Sequence, residues 1–183
     1  MSELRIIAGQ WRGRRIAVPP AGVRPTADRV REAWMSIIQM DIPDARCLDL
    51  CAGSGALGLE LLSRGAAHCD FVEQDPDVLK VLNDNVTTLG AGERATVHKS
   101  SAEKYVETLP SSVFRPFDLA LTDPPYAKDI ASSLAHYWLK APFSTIFCLE
   151  HEAWISLPEP QASASVDRRR YGDTALTIYR LTP

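Results

Sequence analysis

The apolar run CLDLC at 47–51 breaks into the turn AGSG and resumes as ALGLELLSR, whose apolar residues recur at helical spacing until Gly65. A strand that enters a helix through a glycine-rich turn is a βα unit, and it needs parallel neighbours to complete a sheet. The rest of the chain supplies them. CDFVE (69–73) reads as a second strand, after which Asp75 and Pro76 open a helix with Val78, Val81, Leu82, Val86 and Leu89 inward, closed by Gly90. ATVHK (95–99) is a third strand, Ser101 starts a short helix, and FDLALTD (117–123) is a fourth strand. A helix near 129–139, a strand at 145–151 and a hairpin near 163–169 and 174–181 around YGD complete the order. The expectation is an α/β fold with a mostly parallel sheet, helices on both faces and a C-terminal antiparallel hairpin. Ahead of it, residues 1–24 read as an arm or short hairpin, and Thr26 stands where it can cap a helix with the stripe Val30, Ala33, Trp34, Ile37 and Ile38.

Length fits this plan: 183 residues, 45% of them hydrophobic, make one domain spanning 1–183, with 1–24 as a basic arm and 25–183 as helix plus core. No run approaches the ~18 apolar residues of a membrane span, and IIA at 6–8 is followed at once by GQWRGRR, which is no signal peptide. A cytoplasmic protein is expected, with no membrane partner. Cys47, Cys51, Cys69 and Cys148 form no CxxC pair and have no histidine at ligand spacing, so they read as small buried hydrophobes and no metal is expected.

The net charge of −3 hides an asymmetry: residues 1–31 hold seven arginines against Glu3 and Asp28, a local +5 that leaves −8 for the remainder. Arginine's planar fork suits phosphate, and a basic arm on an acidic body points to a polyanion touched at one place. Arg12, Arg14 and Arg15 lie close together in a glycine-flanked, weakly apolar segment, so their side chains have no core to serve, and Arg24, Arg29 and Arg31 follow at the loop and first helical turns. All six are candidates for contact with a phosphate backbone. The alternative is a solvated surface segment.

In parallel sheets ligands bind at the carboxyl ends of the strands, and here those ends are unusual. Gly53, Gly55 and Gly58 form a GxGxxG after strand one, and Glu73 closes strand two, where a carboxylate can take both hydroxyls of a ribose. A nicotinamide-dependent oxidoreductase would carry the same pattern. Asp49, four residues before Gly53, separates the two readings, because a carboxylate there suits a ligand with a positive amino group such as S-adenosylmethionine, whose sulfonium adds further positive charge. Strand four then ends in Asp123, Pro124, Pro125 and Tyr126. An exocyclic amine on a base is a poor nucleophile and must be held for in-line methyl transfer. Asp123 and the Pro124 carbonyl can accept its two N–H groups, two prolines fix the backbone without adding a donor, and Tyr126 offers a flat face to an unstacked base. DPPY serves any exocyclic amine, so adenine-N6 and cytosine-N4 methylation of DNA or RNA stand beside guanine-N2. A non-catalytic RNA-binding protein on the same scaffold is a further alternative.

Over nearly its full length the chain resembles the bacterial 16S ribosomal RNA guanine-N2 methyltransferases, in RIIAGQWRGRRIAVP, RPTADRVREAW, LDLCAGSGALGLELLSRGA, FVEQD, TDPPY and RRYGDTALTIYR. The resemblance implies the class I S-adenosylmethionine-dependent methyltransferase (Rossmann-like) fold. It also implies methylation of a guanine 2-amino group in 16S rRNA, within the small ribosomal subunit or an assembly intermediate. It assigns the methionine end of the cofactor and the turn to Asp49, Ala52, Gly53, Ser54 and Gly55, the ribose to Glu73, the adenine edge to Ser101 and Ala102, and the target base to Asp123, Pro124, Pro125 and Tyr126. Two positions depart from the family pattern. Cys51 stands where an aromatic residue is frequent, and Ser101 stands where Asn or Asp is common, so Ser101 either bonds adenine or only caps its helix.

Overall fold

The sheet is laid down from its middle outwards. In the computed structural model, which describes residues 2–19, 27–109, 115–126 and 129–182, the first core strand β3 (Arg46–Leu50) lies between β4 (His68–Glu73) and β6 (Phe117–Thr122), and both pair with it in parallel. β5 (Ala95–Lys99) extends the sheet beyond β4, and β7 (Ser144–Glu152) extends it beyond β6. On the far side of β7 the antiparallel β9 (Thr174–Leu181) and then β8 (Ala164–Tyr171) complete the order β5-β4-β3-β6-β7-β9-β8. Strand order reverses between β3 and β6, and at such a switch point the diverging connections leave a crevice beyond the strand ends.

Among the described residues four α-helices link the parallel strands: α2 (Ala56–Ser63), α3 (Pro76–Leu89), α4 (Ala102–Thr108) and α5 (Ile130–Lys140), with α1 (Ala27–Ile37) preceding them. Their ends follow the punctuation of the sequence. Asp75 caps α3 by accepting from the amides of Asp77 and Val78, Pro76 takes the first turn where no donor is needed, and Gly90 ends the helix at φ 68°. The sheet separates two apolar layers. Trp34, Leu59, Leu62, Phe71 and Leu82 belong to one, and Leu48, Leu50, Val72, Leu134, Trp138 and Tyr179 to the other. On α3 the buried positions are Leu79, Leu82, Asn85, Val86 and Leu89, so Val78 and Val81 lie at the margin of the stripe and a polar residue sits within it.

Of the two expectations for the N-terminal segment, arm or short hairpin, the hairpin holds. β1 (Ser2–Arg5) and β2 (Arg15–Val18) form an antiparallel hairpin, and Ile6, Trp11, Ile16 and Val18 are buried beneath it. Arg12, Arg14 and Arg15 are exposed, as expected of side chains with no core to serve, while the apolar residues between and around them fill one. Three buried polar side chains on the helices dock the hairpin. Glu60 accepts from the amides of Ile7 and Ala8 at 2.8 and 3.0 Å. Ser63 Oγ accepts from the Trp11 amide at 3.0 Å and donates to the Ala8 carbonyl at 2.6 Å. Asn85 accepts from the Ala17 amide and donates to the Ala17 carbonyl, both at 2.9 Å. Gly9 passes so close to α2 that a Cβ would stand 1.9 Å from the Ser63 carbonyl oxygen, and its φ of 83° is itself one that side chains rarely adopt. Thr26 and Arg24 lie outside the described residues. No helix among the described residues is long and apolar enough to cross a membrane.

Candidate active site

Leu50 pairs with Val72 on one side and with Thr122 on the other, so Cys51, Glu73 and Asp123 stand one step beyond these pairs at the reversal of strand order. The sheet register therefore gathers the glycine turn, the acid of β4 and the DPPY segment at one end of the molecule.

The turn between β3 and α2 reverses sharply through three left-handed residues: Cys51 (φ 60°), Gly53 (φ 56°) and Gly55 (φ 82°). Two of the three glycines serve packing. A Cβ on Gly55 would lie 2.5 Å from Leu82 Cδ1, and one on Gly58 would lie 2.3 Å from Phe71 Cε1, so neither tolerates a side chain. Gly53 differs, because a Cβ there meets nothing within 4 Å and the backbone faces open space. The turn is braced by Ala52 N donating to Val72 O at 2.9 Å and by Asn85 Nδ2 donating to Ser54 O at 2.8 Å. The same Asn85 that docks the hairpin thus holds the turn.

Two carboxylates border this turn in different states. Glu73 is held by three backbone amides: Gly53 N at 3.0 Å on one oxygen, with Gln74 N and Asp75 N at 2.8 and 2.9 Å on the other. Asp49 is 1% exposed and accepts from Gly58 N at 2.9 Å. Burial pushes its pKa from 3.8 up to about 7, the Gly58 hydrogen bond opposes the rise, and the negative charges of Asp123 and Glu73 add to it. A buried acid with two acidic neighbours is suited to a cationic partner.

Past β6, Asp123 and Pro125 are exposed, Pro124 is buried and Tyr126 is half-buried. The Tyr126 hydroxyl donates to Glu150 Oε1 at 3.2 Å and shares a hydrogen bond with Thr174 Oγ1 at 2.9 Å. Its ring orientation is set by the ends of β7 and β9. Ser101 caps α4, accepting from Lys104 N at 3.3 Å, and the Ala102 side chain is buried against the sheet, so any contact of Ala102 with a ligand would pass through its backbone.

The candidate phosphate-binding arginines divide. Arg12 and Arg29 are exposed. Arg14 donates to the Thr88 carbonyl, and Arg15 pairs with Glu3 at 2.8 Å, with both partners largely in solvent. Arg31 is 5% exposed and donates to the Arg5 carbonyl at 2.8 Å. Its guanidinium ties α1 to the hairpin and is not presented to the surface, which corrects its placement among exposed phosphate contacts.

The sequence matches the family described as Conserved hypothetical protein 95 over residues 4–180. The chain belongs to this family. The Ribosomal RNA small subunit methyltransferase D of Escherichia coli (strain K12) is 37% identical over 185 residues, covering 97% of this chain and 90% of that protein. The protein of the same name in Haemophilus influenzae is 38% identical, covering 97% and 94%. Among solved structures, a putative methyltransferase of Escherichia coli, yhhF, superposes with a TM-score of 0.84 at 35% identity, over 98% of this chain and 98% of that one. The N-terminal domain of human METTL16, solved in complex with SAH, shares the fold alone, at a TM-score of 0.69 and 13% identity over 92% of this chain and 76% of that one. The fold is that of the S-adenosylmethionine-dependent methyltransferases, as the resemblance implied.

Within this family framework, sequence reasoning passed over Glu150 and Thr174, which hold the DPPY tyrosine, and Asn85, which links turn and hairpin. Thr174 had a visible signal: it follows the YGD turn, in which Gly172 takes φ 66° and delivers the start of β9 to the site. Asn85 and Glu60 showed theirs as polar residues inside apolar helical stripes. Glu150 had none, being one acid among many at a strand end.

Proposed function

We propose that the chain transfers a methyl group from S-adenosylmethionine to the exocyclic 2-amino group of a guanine in 16S ribosomal RNA. In this reading it acts in the cytoplasm on the small subunit or an assembly intermediate, with residues 1–183 working as one domain. The observation that carries the reading is the juxtaposition, at one switch point, of DPPY with a glycine turn that overlies a buried, undersupplied acid. The names of the relatives point the same way for the RNA.

The residues fit the cofactor. Asp49, with its raised pKa and two acidic neighbours, suits a cationic amino group, and the open space over Gly53 accepts close approach of a ligand to the backbone. Glu73, oriented by three amides, keeps lone pairs for ribose hydroxyls. When bound, S-adenosylmethionine supplies a methyl group on a positively charged sulfur. Asp123 accepts one N–H of the target amine and stabilises the positive charge that grows on nitrogen during attack. The departing proton comes from a strongly acidic ammonium, so a carboxylate suffices and no histidine is required. Pro124 offers its carbonyl to the second N–H. Tyr126, fixed by Thr174 and Glu150, gives the base a flat face worth ~1–3 kcal/mol.

The test is labelled methyl transfer to small subunits from cells lacking the modification, with naked rRNA and DNA compared, followed by digestion to nucleosides. N2-methylguanosine from the subunit is the expected product. N6-methyladenine or N4-methylcytosine would overturn the base assignment, and absence of transfer would overturn the reading. Asp123→Ala should lower kcat by about 100-fold or more while the cofactor still binds.

A further inference from the structure

The four tryptophans of the chain are unequally placed. Trp11 is 8% exposed, and Trp34 and Trp138 are fully buried, but Trp154 is 67% exposed. Its position relates it to the site. β7 ends at Glu152, which pairs with Thr174, and the Thr174 hydroxyl holds Tyr126. The chain then turns tightly, with Ile155 N donating to Glu152 O at 3.0 Å and Ala153 N donating to Asp173 O at 2.8 Å. Two Cα steps of ~3.8 Å and one strand spacing of ~5 Å place the Cα of Trp154 within roughly 13 Å of the Cα of Thr174. Because β7 runs parallel to β6, Trp154 follows the strand end on the same rim of the sheet as DPPY.

The loop that carries it is pinned. Leu157 is buried, the Tyr179 hydroxyl donates to Pro158 O at 2.6 Å, and Arg168 pairs with Glu159 at 2.9 Å. Edge strand β8, antiparallel to β9, sets Arg168 against this loop, where it reaches the Leu157 and Pro158 carbonyls, and Arg170 Nε donates to Gly172 O at 2.8 Å in the turn that leads to Thr174. An exposed aromatic held on a fixed loop, with Arg168 and Arg170 on the strand that braces the loop and the neighbouring turn, is suited to an unstacked base with its phosphates.

We propose that Trp154 is a stacking platform for an unpaired RNA base that neighbours the target nucleotide, with the arginines of β8 beside the adjoining phosphates. The proposal rests on the reading of the chain as an RNA methyltransferase. It adds a second point of base contact, distinct from Tyr126, that fixes which nucleotide of a strand reaches the site. Placing the RNA at two bases limits sliding along the strand.

The molecule carries its own probe, since Trp154 is the tryptophan open to solvent. Small subunits lacking the modification, or the naked rRNA where it serves as substrate, are titrated into wild-type protein and into Trp154→Ala and Trp154→Phe variants. Intrinsic fluorescence and steady-state methyl transfer are followed. The expected result is quenching of the solvent-exposed emission in wild type that is absent from both variants. With it, KM for the RNA substrate should rise about tenfold in Trp154→Ala and no more than about threefold in Trp154→Phe, with cofactor affinity constant. If wild type methylates RNA without a change in that emission, or Trp154→Ala keeps KM within about twofold, the platform is overturned and the methyltransferase reading stands. If wild type transfers no methyl group to RNA, the reading fails and the platform with it.

Discussion

Two buried carboxylates border helix α2, Asp49 at the end of β3 and Glu60 on the helix itself, and the two are treated in opposite ways. Near the N-terminus of the helix, Asp49 meets one backbone amide and two negative neighbours. In its C-terminal half, Glu60 is equally buried but takes the Ile7 and Ala8 amides and an ion pair from Arg64 Nε at 2.7 Å. A saturated carboxylate has its partners from the fold itself and acts as a fastener. One left short of donors, and at a pKa of about 7, awaits a partner from outside. The difference separates the hairpin dock from the candidate cofactor site, although both acids border one helix and both are buried.

The comparison is broken most directly at Glu60. Glu60→Ala leaves two amides and a guanidinium without their acceptor, and loss of one partner of a buried, hydrogen-bonded pair costs about 3–5 kcal/mol. Chemical denaturation should register that loss, with the hairpin amides of Ile7 and Ala8 exchanging faster in hydrogen-exchange measurements. A stability change below about 1 kcal/mol would show that the hairpin is held by its apolar residues alone.

Asp49→Asn should behave in the opposite sense. The amide oxygen can still accept from Gly58 N, and a buried charge in acidic surroundings is removed, so stability at pH 8 should hold or rise. Cofactor affinity should fall by about 2 kcal/mol or more, the scale of a lost charge-assisted contact. Calorimetric titration with S-adenosylmethionine, alongside denaturation, checks both signs. Loss of stability with unchanged affinity would make Asp49 a second fastener.

Why one region was legible in the sequence and the other was not follows from the same physics. The glycine turn, Glu73 and DPPY announce themselves because strand ends, left-handed turns and rigid prolines need particular residue types. β5 at Ala95–Lys99 matches its expected bounds, since an apolar run between turn residues leaves little choice of register. The hairpin dock is a tertiary matter: Glu60 and Asn85 read as faults in apolar stripes until the segment that they receive is laid on them. Arginines in a polar, glycine-flanked stretch look alike in one dimension. Only packing distinguishes Arg31, donating to the Arg5 carbonyl, from Arg12 in solvent. Tyr126 likewise shows its ring chemistry in the sequence, while the anchoring of its hydroxyl depends on residues 24 and 48 positions away.

The pH dependence of Asp49 is a finer test. Its folded pKa of about 7 lies above the ordinary 3.8, so the folded chain keeps a proton that the unfolded chain releases. Stability without ligand should therefore decline as pH rises from about 4 to about 7 through this group. A cationic ligand favours the ionised acid, so binding expels that proton at lower pH. Affinity for S-adenosylmethionine should weaken by about tenfold per unit as pH falls below about 7, and Asp49→Asn should abolish the slope. A flat profile in wild type would mean that Asp49 is already ionised in the ligand-free protein.

The smallest effect concerns the outer surface of the hairpin that Glu60 docks. Arg12 is exposed, Arg15 holds Glu3 on the surface, and Arg14 reaches the Thr88 carbonyl, so none is committed to the interior as Arg31 is. Phosphate can displace such exposed partners, since a surface ion pair is worth ~0–1 kcal/mol. Each phosphate neutralised releases counterions and adds about 0.7–0.9 to the logarithmic salt slope. Replacing Arg12, Arg14 and Arg15 with alanine should flatten the slope of RNA affinity against salt by about 2 units and leave cofactor affinity unchanged. Arg31→Ala should instead lower stability and keep the slope, because its charge faces the Arg5 carbonyl. RNA affinities of the three proteins at several salt concentrations decide between these outcomes, and parallel slopes for wild type and the triple variant would make the hairpin a structural cover with no part in RNA contact.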